Sequence, residues 1–223
     1  MPNNDIVYLL KFAPKEAYIE DLPNGHLYMN AAGYYHGLPG EQGDPLEASM
    51  APGACLYRYT SLPIYCMYTV RENDIVDNVV KIPKRMIQEF GCADGWIGIV
   101  QYDSFARLAD RHTTGDGSIY AHGPISYGVP GPKLIREIFE GIPHNLVIKT
   151  PKYAYQKEYR IIGSRPVECR LLPDENHPGC KIEEYDHAEL DLGRSLADFS
   201  RKVPVPSLRE RQDGLTLKLP HRV

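Results

Sequence analysis

Proline and glycine punctuate this chain from end to end, and no other feature constrains its fold as strongly. Nineteen of each are scattered over 223 residues. Each proline removes a backbone donor, and each glycine loosens the backbone around it. Few stretches between them can support a long helix, so short elements broken by turns are expected. The length suits one domain that buries its own core without disulfide or metal support.

The balance of 25 Lys and Arg against 29 Asp and Glu leaves a net charge of −4. That excludes a global basic footprint for tight non-specific nucleic-acid binding, while a local basic groove stays compatible with it. With 43% hydrophobic and 24% charged residues, the composition excludes collagen-like and disordered classes. The five cysteines are an odd number without C-x-x-C spacing, so neither a zinc cluster nor a disulfide framework is expected. The eight histidines are dispersed, and no metal site is read from them. The start, Met-Pro-Asn-Asn-Asp, lacks the cationic and apolar regions of a signal peptide. No apolar stretch nears the ~20 residues of a membrane span. The expectation is a soluble cytoplasmic protein with reduced thiols and no membrane partner.

Apolar runs and period-2 alternation predict strands over residues 6–12, 26–30, 54–71 (one or two), 96–102, 124–128, 146–149 and 153–162, with an edge hairpin from 167–172 and 181–190. Short helices are expected over 14–22, 83–90, 104–111 and 133–139, two of them opened by proline. The stretch from Gly33 to Pro52 reads as a long Gly- and Pro-rich loop, the kind that usually serves function. Residues 201–223 read as a weakly structured basic tail. The expected architecture is a single α+β domain over residues 1–223, with its core in 6–200 and a mostly antiparallel split sheet.

Sixteen tyrosines exceed what a core needs, and their stacking faces and hydroxyls suit a wet cleft for flat or polyhydroxylated ligands. Tyr34 and Tyr35, followed by His36, read either as a stacking platform or as a hydrophobic anchor for the loop. Asp44 and Glu47 read either as a clamp over a ligand or as a loop cap. Lys81, Lys84 and Arg85, and Arg201, Lys202, Arg209 and Arg211, are candidate phosphate contacts or plain solvated charge.

The sharpest feature is Gln156-Lys157-Glu158. On a strand the outer pair shares one face, roughly 7 Å apart. That spacing lets one group stabilise a developing cation while the other orients a nucleophile, as chemistry at a sugar anomeric carbon requires. The alternative is a solvated face with Glu158 paired to Arg160.

Around this triplet the chain resembles a bacterial and phage family catalogued as a domain of unknown function. The resemblance rests on Tyr8-Leu9-Leu10-Lys11-Phe12, Gly25-His26-Leu27-Tyr28-Met29-Asn30, Gly43-Asp44-Pro45-Leu46-Glu47 and Lys149…Tyr155-Gln156-Lys157-Glu158-Tyr159-Arg160-Ile161. The same order also resembles the ADP-ribosyltransferase fold. This second resemblance implies NAD as substrate, with Lys11 near the first-strand cation that holds the dinucleotide. It further implies Ser126 and Tyr127 on the strand shaping the nicotinamide pocket, and Gln156 and Glu158 on the catalytic strand. Lys11 stands where that family has Arg or His, and Ser126-Tyr127-Gly128 stands in place of Ser-Thr-Ser.

Two functions are therefore expected from different classes. The first is an NAD-dependent ADP-ribosyltransferase, an intracellular toxin or phage-conflict effector acting on a nucleic acid or protein. In it Glu158 stabilises the oxocarbenium, Gln156 orients the acceptor, and Lys11 or Arg160 neutralises the pyrophosphate. The nicotinamide would stack on a tyrosine such as Tyr34 or Tyr35. The second is a non-catalytic nucleotide- or partner-binding sensor on the same cleft. The absence at Lys11 of a planar, fork-shaped cation favours the second, while Gln156 and Glu158 sharing a strand face favours the first.

Overall fold

The computed structural model describes residues 5–38, 60–90, 92–128, 146, 148–173, 181–211 and 214–220. The Asp44…Glu47 pair, the first part of the strand reading over 54–71 (residues 54–59) and the helix expected at 133–139 lie outside these residues. The chain opens with β1 (Ile6–Ala13), β2 (His26–Ala31) and β3 (Pro63–Arg71). β4 (Ile75–Val76), β5 (Val79–Ile82) and helix α1 (Lys84–Glu89) come next, then β6 (Trp96–Gln101) and helix α2 (Tyr102–Thr114). The middle of the chain supplies β7 (Ile119–Pro124), β8 (Ser126–Tyr127), β9 (Ile148–Lys149) and β10 (Glu158–Gly163). The remaining strands are β11 (Cys169–Pro173), β12 (Lys181–Tyr185), β13 (His187–Asp191), β14 (Ser200–Pro204), β15 (Arg209–Arg211) and β16 (Gly214–Lys218).

Eight strands form the main sheet, and every pairing in it is antiparallel. β3 is its centre, and most of its side chains on both faces are buried. One face of the sheet carries Leu9, Met67, Val100, Tyr159 and Ile161, covered by α2 through Phe105, Leu108 and Ala109. That i, i+3, i+4 spacing makes α2 amphipathic and seats it on the sheet. The other face carries Leu10, Tyr68, Ile97 and Ile99, which pack with Met86 of α1 and with Val80, Ile82 and Leu217. Those last residues belong to a second sheet, β15-β16-β5-β4. The α+β architecture with a mostly antiparallel sheet and short helices is therefore present.

Within this one sheet, β3 serves two strands on a single edge. β10 holds one edge of β3 from Ile64 to Tyr68. The opposite edge is shared: β2 pairs only at Pro63 and Ile64, and β1 only from Tyr68 to Arg71. Tyr65, Cys66 and Met67 thus have no strand partner on that edge among the described residues, and β1 and β2 part there like the arms of a fork.

Several expectations change. The strand expected over 153–162 begins only at Glu158, because Pro151 opens a 3₁₀ turn over Pro151–Gln156. The turn ends at Lys157 in the left-handed region (φ 40°), with its ammonium 2.6 Å from Asp74. Two short 3₁₀ turns, Glu16–Ile19 and Leu22–Asn24, replace the helix expected over 14–22, with Pro23 inside the second. The expected hairpin is β11 with β12 alone; β13 instead extends the main sheet beside β2.

The segment from Arg201 is not a tail. β14 pairs with β6 in the main sheet, and β16 pairs with β5 in the small one. Its alternation of Leu215 and Leu217 with polar residues is short and interrupted by prolines, and its partners lie more than a hundred residues earlier in the chain. Leu217 is 1% exposed. Leu217→Ala should lower stability by about 2–5 kcal/mol, the usual cost of truncating a buried leucine. Urea unfolding followed by circular dichroism measures it; a tail would give almost no change.

Candidate functional site

The fork sets Lys11 at the centre of the site. By strand alternation Lys11 leaves β1 on the α2 face, as Leu9 and Ala13 do. Its flexible stem carries the ammonium to the gap between β1 and β2. There Nζ donates to the Cys66 carbonyl oxygen at 3.0 Å and lies 4.1 Å from the centre of the Tyr65 ring. Burial depresses the Lys11 ammonium below its ordinary value, while the nearby Cys66 and Glu158 raise it. Two chambers meet at Lys11, Phe12 and Tyr35. The larger, about 670 Å³, runs between the arms of the fork past Tyr18, Tyr28, His26 and Asn30. The smaller, about 120 Å³, is walled by Cys66, Tyr68, Phe90, Lys149, Gln156, Glu158 and Arg160.

Glu158 and Arg160 leave β10 on the face opposite to the Lys11 stem, since Tyr159 and Ile161 between them point into the α2 core. Both are buried, at 6% and 1% exposure. Arg160 donates through Nε to Glu158 Oε1 at 2.8 Å, and its Nη2 lies 2.6 Å from the same oxygen. Its third arm, Nη1, donates to the Leu146 carbonyl oxygen at 2.7 Å. Lys149 Nζ reaches Glu158 Oε2 at 2.8 Å and donates to Gln156 Oε1 at 3.1 Å. Burial alone would raise the Glu158 carboxyl; Arg160 and Lys149 outweigh it and hold the group well below the usual carboxylate range. The opposite balance governs Cys66, whose thiol burial and Glu158 push up to about 12. It is a poor nucleophile there.

The structure therefore gathers Lys11, Tyr35, Gln156, Glu158 and Arg160 around one small chamber. Gln156 arrives from the 3₁₀ turn rather than from the strand, so its nearness to Glu158 runs through Lys149 and not through a shared strand face. Tyr127 touches the site from behind: its hydroxyl accepts the Glu158 backbone N–H at 2.7 Å. Ser126 is exposed and lines neither chamber. Tyr34 is also exposed and meets Tyr35 edge-on, 5.5 Å between centroids, outside both chambers. Sequence reasoning missed Lys149 as a site residue, along with Cys66 and Tyr65. Lys149 closes a short apolar run, a pattern that carries no sign of a carboxylate partner nine residues on.

Glu158→Gln isolates the role of this carboxylate in stability. It leaves Arg160 and Lys149 buried beside a neutral amide, and breaking a buried ion pair from one side costs about 3–5 kcal/mol. The folded pKa of Glu158 lies below its ordinary value of 4.5. Its contribution is therefore complete above that value and is lost as pH falls towards the folded pKa. Thermal melts at neutral pH should show the variant much less stable, and melts through the acid range should show the gap closing. A gap that stays constant with pH would exclude the ion network as its cause.

No protein-family model, no curated protein and no solved structure matches this chain.

Proposed function

We propose that the fork is a nucleotide-binding cleft and that its ligand is NAD. The observation that carries this is the place of Lys11, whose ammonium sits where a tyrosine-lined chamber meets a smaller, largely apolar one into which Lys149, Glu158 and Arg160 are set. The larger chamber is of the size that small-molecule sites use, roughly 300–1,000 Å³. Tyr18 and Tyr28 are exposed within it, at 60% and 52%; Tyr28 is stacked on His187 (4.4 Å between centroids) and keeps its other face, with the Tyr18 ring, for a base or a nicotinamide ring. Lys11, Lys149 and Arg160 all line the smaller chamber, cations of the kind that hold a pyrophosphate. The smaller chamber admits only a small group of such a ligand.

Whether binding leads on to chemistry turns on Glu158. Both of its oxygens are already engaged by Arg160 and Lys149. A carboxylate so neutralised has little charge left to stabilise an oxocarbenium, which favours a sensor that binds without turnover. The second reading is ADP-ribosyl transfer, in line with the sequence resemblance. It draws support from Lys149, which joins Gln156 and Glu158 beside the small chamber. A ligand phosphate that drew Lys149 or Arg160 towards itself would release Glu158 to a ribose.

Calorimetry with NAD and chromatography for free nicotinamide test the two together. Binding without nicotinamide release establishes the sensor, binding with release establishes the transferase, and the lack of any binding sinks both. Lys11→Ala should weaken NAD by about 10- to 100-fold, as loss of a hydrogen bond to a charged group predicts. Affinity should also fall with rising pH earlier than for a free lysine, because the bound phosphate needs the ammonium and burial depresses its pKa.

A further inference from the structure

The outer face of the small sheet collects cations that the sequence keeps far apart. Residues directly opposite in an antiparallel pair share a face. Arg209 of β15 lies opposite Thr216 of β16, and Thr216 lies opposite Lys81 of β5. Lys218 stands two residues beyond Thr216 and so joins the same face. The inner face, with Val80, Ile82 and Leu217, is spent on the core. Arg201 of β14 adds a fourth cation, and together they line a groove of about 970 Å³. Arg201, Arg209 and Lys218 are exposed and form no ion pair among the described residues. Of the two acids at the groove, Asp74 is already engaged by Lys157 and by the Arg71 backbone.

We propose that this groove binds the phosphodiester backbone of a nucleic acid without reading its sequence. A chain with a net charge of −4 that concentrates four cations in one groove is built to attract a polyanion there. Strand geometry sets the spacing: Arg209 and Lys81 are two strands apart, about 10 Å, and Lys218 lies diagonally from Lys81 at about 7–8 Å. That regular row suits evenly repeating phosphates better than the irregular carboxylates of an acidic protein segment. Between Arg209 and Lys81 stands Thr216, a small polar side chain that leaves room for a backbone to pass between the two cations. The described lining contains no aromatic ring on which bases could stack. Contact is therefore with the backbone alone. The groove is separate from the fork, and the inference holds whatever the fork binds.

Fluorescence polarisation with a labelled mixed-sequence oligonucleotide of about 12 nucleotides tests this on the full chain. Three phosphates neutralised by Arg201, Arg209 and Lys218, at about 0.7 each, predict a slope near −2.1 for log affinity against log salt. The double variant Arg209→Glu with Lys218→Glu should weaken binding by at least about tenfold and flatten the slope by about 1.4. It should melt with the parent, since both side chains are exposed. If the small sheet does not tolerate that change, Arg201→Ala on the main sheet should flatten the slope by about 0.7 instead. Undetectable binding, or binding that neither variant alters, overturns the proposal. So does polyglutamate that displaces the probe as well as an unlabelled oligonucleotide of equal charge, which would assign the groove to an acidic protein.

Discussion

A strand edge can serve two partners only if something satisfies the backbone where they part. β3 gives the ends of one edge to β1 and β2 and leaves Tyr65 to Met67 between them without a strand partner among the described residues. A buried carbonyl left without a donor there would cost about 1–3 kcal/mol. The Lys11 ammonium answers that need at the Cys66 oxygen. Holding the fork open and presenting a cation to its interior are thus one arrangement. An apolar residue at this position would leave the carbonyl without that donor, and arginine would bring a wider, planar head into the same gap.

Behind the fork, a buried ionic cluster takes the place of apolar packing. Arg160 is one of the largest fully buried side chains in the chain, and it satisfies its donors on Glu158 and on the Leu146 carbonyl. Removing three charged groups from water is expensive, and hydrophobic residues of equal volume often do as well for stability. The cluster is consistent with a role beyond stability. It ties β10, β9 and the turn before β10 to a single carboxylate and lines the chamber with fixed charge.

Where single residues carry their own signal, the sequence was legible. The apolar runs of β1, β3 and β6, the proline-opened α1 and the alternation of Tyr159 and Ile161 against Glu158 and Arg160 all follow from periods of two or from turn residues. From the sequence, Lys11 and Glu158 are expected to open into one cleft; the two side chains instead leave the sheet on opposite faces, and of Lys11 only the ammonium reaches the small chamber, through the gap between β1 and β2. The turn at Pro151–Gln156 was not legible, because Tyr153 and Tyr155 alternate as they would in a strand and only the left-handed Lys157 breaks the pattern. Nor were Lys149 or β14 to β16. Their roles come from pairings with distant segments, which local periodicity does not encode.

Those distant pairings also bear on how the molecule comes into being. β14 closes one edge of the main sheet against β6, β16 covers β5, and Tyr8 reaches across 212 residues to donate to the Pro220 carbonyl. Contacts of such long span form late and slowly, since loop closure must be met before they contribute. Until residues near 220 are available, β5 and β6 would lack these neighbours and expose edges that invite association with other chains. The two sheets are therefore completed only in a late step. The basic groove, built from β14 to β16 against β5, would form only in that late step, while the strands of the fork all lie within residues 6–163.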